Sequence, residues 1–112
     1  MALFATIDVA SAGANQIIPE QPGESIIVTA YVMVAAGTVT AKWEGYTGGS
    51  GGQPTQEVSG PMTMAAGTPL PGMAGTLQDP LFVVKENQAL CLVLSSGVQV
   101  SGHIAYYYSG DA

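Results

Sequence analysis

Two arms of alternating residues, separated by Ala36-Gly37, occupy the stretch from Glu24 to Tyr46 and constrain the fold more than any other part of the chain. Successive side chains of a β-strand point to opposite faces, so a period of two predicts a strand. The second arm places Val39, Ala41 and Trp43 on one side and polar residues on the other. The stretch therefore predicts a β-hairpin whose second strand has one core face and one wet face.

The first arm is apolar on both of its faces. One face would hold Ile26, Val28, Ala30, Val32 and Val34, and the other Ile27, Thr29, Tyr31, Met33 and Ala35. A strand that is covered on one side only should be polar on the other. We therefore expect this strand to lie centrally in a sandwich or to be covered by a neighbouring subunit.

The rest of the chain contains further strand patterns and no helical one. Strands are predicted at Leu3 to Val9, Leu81 to Lys85, Gln88 to Leu94 and Val98 to Ser109. The Gly-, Pro- and Met-rich segment 56–79 predicts a long crossing with short edge strands, because proline cannot donate to a strand ladder. The fold class predicted is all-β, a jelly-roll-like antiparallel β-sandwich of about eight strands.

The length of 112 residues predicts a single β-sandwich domain, 1–112. Within it, 1–23 is expected to form an N-terminal arm and strand, interrupted by a linker-like break at 11–14, and 47–54 a flexible Gly/Ser loop. Two similar small-small-Gly sequences, Ala35-Ala36-Gly37 and Ser95-Ser96-Gly97, precede the second strand of the hairpin and the last strand of the chain. We expect Gly37 and Gly97 in these turns to take positive φ.

The charge of the chain argues against nucleic acid as a partner, and its hydropathy argues against insertion into a membrane. The net charge is -6 and the only cations are Lys42 and Lys85, which argues against binding to nucleic acid phosphates. No apolar run is long enough to predict a membrane span, and the first residues lack the basic region of a secretory signal. Charged residues make up only 9% of the chain against roughly 25% in an average domain. We therefore expect part of the surface to meet protein.

Candidates for catalysis or metal binding are sparse. Cys91 lies in an apolar run, which predicts a buried and inert thiol. His103 shares a strand face with Ser101, but neither a nucleophile-elbow motif nor metal-ligand spacing surrounds it. The eight acidic residues are scattered singly, and the methionines Met62, Met64 and Met73 are expected to fill gaps between the sheets. We predict no catalytic residue, no metal and no cofactor, and hence no enzyme.

Three segments carry a resemblance to a known group. They read SIIVTAYVMVAAGTVTAKWEG, SGPMTMAAGTPLP and NQALCLVLSSGVQVSGHIAYYY, and they lie between Ser25 and Tyr108. This succession resembles small tailed-bacteriophage structural proteins, which are similar to the jelly-roll cement or decoration proteins of phage heads. The resemblance implies a homotrimer that is made in the host cytoplasm and lies on the capsid surface of the virion. It would bind the lattice of the major capsid protein and stabilise it.

Aromatic and methionine side chains are enriched where protein subunits meet. The candidate interface residues are Tyr31, Met33, Tyr46, His103, Tyr106, Tyr107 and Tyr108. The alternative function is a carbohydrate- or receptor-binding module of a phage tail or head fibre, in which Trp43 and the tyrosines would stack on a sugar. We interpret Trp43 as a core residue instead, with the tyrosines between the core and a subunit interface.

Overall fold

The computed structural model describes residues 2–48, 52–71 and 75–111, which form ten β-strands in two antiparallel sheets. The strands are β1 (Leu3–Val9), β2 (Gly13–Ile18), β3 (Ile26–Ala35), β4 (Val39–Thr47), β5 (Gln53–Glu57), β6 (Met62–Met64), β7 (Leu70–Pro71), β8 (Phe82–Val84), β9 (Ala89–Leu94) and β10 (Val100–Tyr108). A short 3-10 turn, Ser109–Asp111, follows β10. The prediction of an all-β chain is confirmed.

Strand order defines a jelly roll. The first sheet runs β1-β10-β3, with β7 and β8 both paired to β3, and the second runs β2-β9-β4, with β5 and β6 both paired to β4. If each pair of short strands is treated as one interrupted strand, two four-stranded sheets result. The chain then passes between the sheets as it does in a double Greek key. The predicted sandwich of about eight strands is therefore confirmed.

Prolines account for the interrupted strands. β6 begins directly after Pro61, and β8 follows Pro80 by two residues. Proline has no N–H for a ladder and is confined to sheet edges, and β5 to β8 all lie at an edge of their sheet. The crossing predicted at 56–79 therefore has the expected character, although its first strand, Gln53–Glu57, begins earlier than predicted.

A β-bulge changes the face that β3 buries. Ala30 pairs with Ala105 and Val28 with Tyr106, so Thr29 is an extra residue in the strand. Before the bulge the buried positions are even-numbered, as at Val28, whereas after it they are odd-numbered, as at Met33. Part of the apolar character on both predicted faces therefore reflects this switch rather than a second covering layer.

The core lies between the two sheets and is centred on Trp43, which is fully buried. The ring of Tyr31 meets it edge-on with centroids 5.4 Å apart, and Phe82 lies against it at 6.2 Å. The interpretation of Trp43 as a core residue is thus confirmed. Met64 is also buried and Met62 half-buried in the packed interior, whereas Met73 lies outside the described residues.

Pro22 and Gly23 form the turn that leads into β3. Gly23 takes a φ of 76°, and the Glu24 N–H donates to the Gln21 carbonyl oxygen at 3.0 Å, as in a type II turn. Asn87, at a φ of 64°, accepts a hydrogen bond of 2.7 Å from the Gly23 N–H through its Oδ1. The two turns therefore support one another at one end of the sandwich.

Two expectations about loops and turns are wrong. Neither Gly37 nor Gly97 has positive φ. Hydrogen bonds hold both turns, one of 2.8 Å from the Ala36 N–H to the Gln99 carbonyl oxygen and one of 2.9 Å from the Val98 N–H to the Ser96 carbonyl oxygen. The break predicted at 11–14 is partly strand, since β2 begins at Gly13 with a φ of 89°. In the predicted loop 47–54, both ends belong to β4 and β5, and 49–51 lie outside the described residues.

Candidate interaction surface

The outer face of the first sheet carries most of the exposed apolar side chains. Inward side chains such as Ile7 and Ile104 are fully buried, so their strand neighbours point outward. We call this surface the Phe4 face, and it consists of Phe4, Thr6, Asp8, Ile27, Ala30, Val32, Val34, Val83, Ser101, His103, Ala105 and Tyr107.

One half of the Phe4 face is apolar. Phe4, Ala105 and Ala30 form one row across β1, β10 and β3. Tyr107, Ile27 and Val83 form the next row across β10, β3 and β8. Phe4 is 73% exposed and Val83 is 43% exposed, and they are the large exposed hydrophobic residues of the described chain. A contiguous apolar patch of this kind is a candidate site of contact with another molecule.

The other half of the Phe4 face carries its polar side chains, including the candidate histidine, beside the half-buried Val32 and Val34. His103 is exposed and lies between Thr6 and Val32. Ser101 and Asp8 lie in the next row, where the Gln99 Nε2 donates to Asp8 Oδ1 at 2.6 Å and to Ser101 Oγ at 3.2 Å. Within the described residues no hydrogen bond joins His103 to either of them. The geometry therefore does not assemble a nucleophile with a base.

Three predicted interface residues lie in the core instead. Met33 is fully buried, and Tyr106 and Tyr108 are 8% and 7% exposed. The rings of the two tyrosines meet edge-on with centroids 5.5 Å apart. Their position follows from the inward phase of β10 and, for Met33, from the bulge in β3, so these residues fill the sandwich and cannot present a surface.

The remaining predicted interface residues are divided among three places. Tyr31 is half-buried against Trp43, and its hydroxyl lies 3.8 Å from the sulfur of Met62. Tyr107 and His103 lie on the Phe4 face, whereas Tyr46 lies on the outer face of the second sheet. Of the predicted set, only Tyr107 and His103 therefore share a surface.

Sequence reasoning missed Phe4, Ile27 and Val83 as surface residues. The signal was present for Phe4, since in β1 it alternates with Leu3 and Ala5 and shares its face with Thr6 and Asp8. A phenylalanine on the polar side of an alternating strand is an exposed phenylalanine. For Ile27 the apolar pattern on both sides of β3 hid which face was outward.

The outer face of the second sheet is charged. Lys42 Nζ lies 3.5 Å from Glu44 Oε1 and 3.4 Å from Glu57 Oε2. Glu44 and Glu57 face each other across β4 and β5, so without the lysine two like charges would stand side by side. The charge of Glu44, together with hydrogen bonds to both carboxylates, raises the pKa of Lys42. Lys42 thus links two strands by charge.

Cys91 lies beside Glu44 on the neighbouring strand. It is fully buried, as predicted, but its register partners are Glu44 and Gln16, so it belongs to the outer layer of the second sheet and not to the core. Burial, and secondarily the charge of Glu44, raise the pKa of the thiol to about 11. The same two causes raise the pKa of the neighbouring Tyr46. A thiol in this environment is a poor nucleophile and a poor disulfide partner.

A depression of about 160 Å³ lies beside Lys42 on the surface of the second sheet. It is lined by Thr40, Ala41, Lys42, Pro61, Val93, Leu94 and Ser95. The described residues contain no group of three or more His, Cys, Asp or Glu that could hold a metal ion. They also contain no helix that is long and apolar enough to cross a membrane.

The fold defines the chain as a small jelly-roll protein. No protein-family model and no curated protein matches the chain. Among solved structures, the chain is similar to a protein of the Bacillus endospore appendages, which are described as a novel family of disulfide-linked pili. The similarity has a TM-score of 0.51 at 16% sequence identity, and it covers 95% of this chain and 83% of the other. At this identity the similarity shows a shared fold.

Proposed function

We propose that the chain is a non-enzymatic structural protein, and specifically a decoration protein that binds the head of a tailed phage as a homotrimer. The observation that carries the proposal is the apolar half of the Phe4 face, where Phe4 and Val83 are exposed around half-buried Ile27. Such a surface is costly in water and is favourable when protein covers it.

The low charge of the chain supports the same function. Two lysines and eight acidic residues are distributed over the whole sequence, and one of the lysines is engaged with Glu44 and Glu57. Interface surfaces are depleted in charge, so a chain with so few charged groups suits extensive contact with protein. Binding to an assembled lattice then stabilises the lattice by mass action, without any chemistry.

The jelly-roll topology and the resemblance of the segments between Ser25 and Tyr108 favour the phage head as the place of assembly. The capsid lattice offers many equivalent sites, and a trimer can bridge neighbouring capsomers. On this proposal the partners are further copies of the chain and the major capsid protein, and the protein reaches the virion from the host cytoplasm.

A subunit of an extracellular filament is a second candidate. It is favoured by the shared fold with a pilus protein of the endospore appendages. The chain differs from a disulfide-linked pilus protein in one respect. Its single cysteine, Cys91, is fully buried. A filament of this chain would therefore have to be held by noncovalent contacts.

The sugar-binding alternative has less support. Trp43, the best stacking platform in the sequence, lies in the core, and Tyr106 and Tyr108 lie there with it. Tyr46 and Tyr107 are on opposite faces of the sandwich. Stacking on a sugar uses exposed rings placed together, and these rings are separated.

The test is a binding experiment with purified protein. Light scattering should give a mass three times that of the 11.4 kDa chain. Phage heads that lack the protein should bind it at a fixed ratio to the capsid protein and should then withstand a higher temperature. Heads that fail to bind it would refute the decoration role. Filaments seen by electron microscopy of the protein alone would support the second candidate.

A further inference from the structure

We infer that copies of this chain meet through the apolar half of the Phe4 face, with Phe4 of one copy packed against Ile27 and Val83 of the next around a three-fold axis. This inference rests on the proposed homotrimer and names its interface.

Phe4 and Val83 stand at opposite margins of the same face. Phe4 is on β1, at one edge of the sheet, and Val83 is on β8, at the other edge. Three inter-strand spacings of about 4.8 Å separate the margins by about 14 Å. The row that contains Phe4 is next to the row that contains Val83 along the strands, so the two side chains lie at similar positions along the strand direction.

The middle of the face is low beside Phe4. The row that begins at Phe4 continues with Ala105 and Ala30, which are small and half-buried. The protruding ring therefore stands beside a shallow trough. When three such faces turn toward a common axis, the β1 margin of each copy approaches the β8 margin of the next. A contact between two different margins is heterologous, and it closes into a ring.

Charge favours a copy of the same chain as the occupant. The apolar half contains no charged residue, and the one acid of the Phe4 face, Asp8, lies at the far end, where Gln99 binds it. Two chains of net charge -6 repel each other over most of their surfaces. They approach with least repulsion through a face that is uncharged, whereas a basic partner would find no acidic group in this half.

Site-specific crosslinking tests the inference. Phe4→Cys and Val83→Cys chains are prepared singly and as a double variant, and each is treated with a short bifunctional maleimide. Cys91 is fully buried, so the wild type serves as the background control. Thr63→Cys, at an exposed position on the other sheet, is the matched control. We expect crosslinked trimers from the double variant, crosslinked pairs from a mixture of the two single variants, and only control levels from each single variant alone.

A second variant keeps the test independent of crosslinking geometry. Phe4→Ser should reduce the mass in light scattering to that of one chain without changing the circular dichroism spectrum, because the ring is already 73% exposed. If Phe4→Cys alone crosslinks into pairs, the contact is two-fold and the inference is wrong. If the wild type is a trimer, Phe4→Ser is still a trimer, and the double cysteine variant gives no crosslinked trimers, the inference fails and the proposed trimer stands. A monomeric wild type would overturn both.

Discussion

The hydroxyl of Tyr108 donates a hydrogen bond of 2.7 Å to the carbonyl oxygen of Pro19. It thereby joins the end of the last strand to the segment that leads into β3, across 89 residues of sequence. The Tyr108 side chain is buried, and removal of its hydroxyl leaves the Pro19 carbonyl oxygen without this donor. Tyr108→Phe should lower the free energy of unfolding by about 1 kcal/mol, as measured by urea denaturation.

Tyr107→Phe is the matched control, since that ring lies on the outer face of the same strand. Burial, and then the neighbouring Tyr106, raise the pKa of Tyr108 to about 12. A raised pKa in the folded state contributes stability below the unfolded value near pH 10, and this stability is lost as the pH rises toward about 12. Equal stabilities of the two variants near pH 7 would contradict the role of the hydrogen bond.

Gly102 allows β10 to approach β3 closely. A Cβ at this position would collide with the carbonyl oxygen of Val32 and lie 2.8 Å from the Cα of Met33. Gly102→Ala should therefore destabilise the fold by about 2 kcal/mol or more, since the strand would have to move. Gly37→Ala is the control, because its Cβ would meet Val98 at 3.4 Å. Thermal unfolding of both variants gives the comparison, and similar melting temperatures would refute the steric argument.

Lys42 offsets the repulsion between Glu44 and Glu57. Lys42→Met should melt at a lower temperature than Lys85→Met, because only the first change leaves the two facing carboxylates without a cation. The difference should shrink in high salt, which screens exposed charges. Because Glu44 raises the pKa of Lys42, the advantage of the wild type over Lys42→Met should persist below pH 10.5 and decrease as the pH rises above it. A difference that is insensitive to both salt and pH would point to packing instead.

Alternation in the sequence was sufficient to predict most of the long strands and the sandwich. The clear case is β4, where Val39, Ala41 and Trp43 are buried as their period predicts. The pattern failed in β3, because an inserted residue at Thr29 reverses the phase and no local signal marks it. A bulge is determined by the pairing with β10, which is remote in sequence.

The interaction surface was harder to predict, because exposure is a property of the assembled sheet. Tyr106 and Tyr107 look alike in the sequence, yet one is buried and the other lies on the outer face. Phe4 could have been identified from the polarity of its strand neighbours. Its relation to Val83 could not, since the two residues share a face only through β10 and β3.

The last prediction concerns Cys91 and the way copies are held together. Its thiol is fully buried, and its pKa is raised from 9.0 to about 11, so near pH 8 it forms about a hundredfold less thiolate than an ordinary cysteine. Thiol–disulfide exchange between Cys91 of the native protein and a chromogenic disulfide reagent should therefore be at least about a hundredfold slower than in denaturant, as measured by release of the coloured thiolate.

The same burial predicts that assembly is independent of disulfides, in contrast to the disulfide-linked pili with which the chain shares its fold. Light scattering should give the same mass with and without a reducing agent, and Cys91→Ala should assemble as the wild type does. Because the proposed contact relies on Phe4, Ile27 and Val83, it contains no group that reduction alters. An oligomer that dissociates on reduction would show that Cys91 reaches a second chain, and it would place the interface on the second sheet instead of on the Phe4 face.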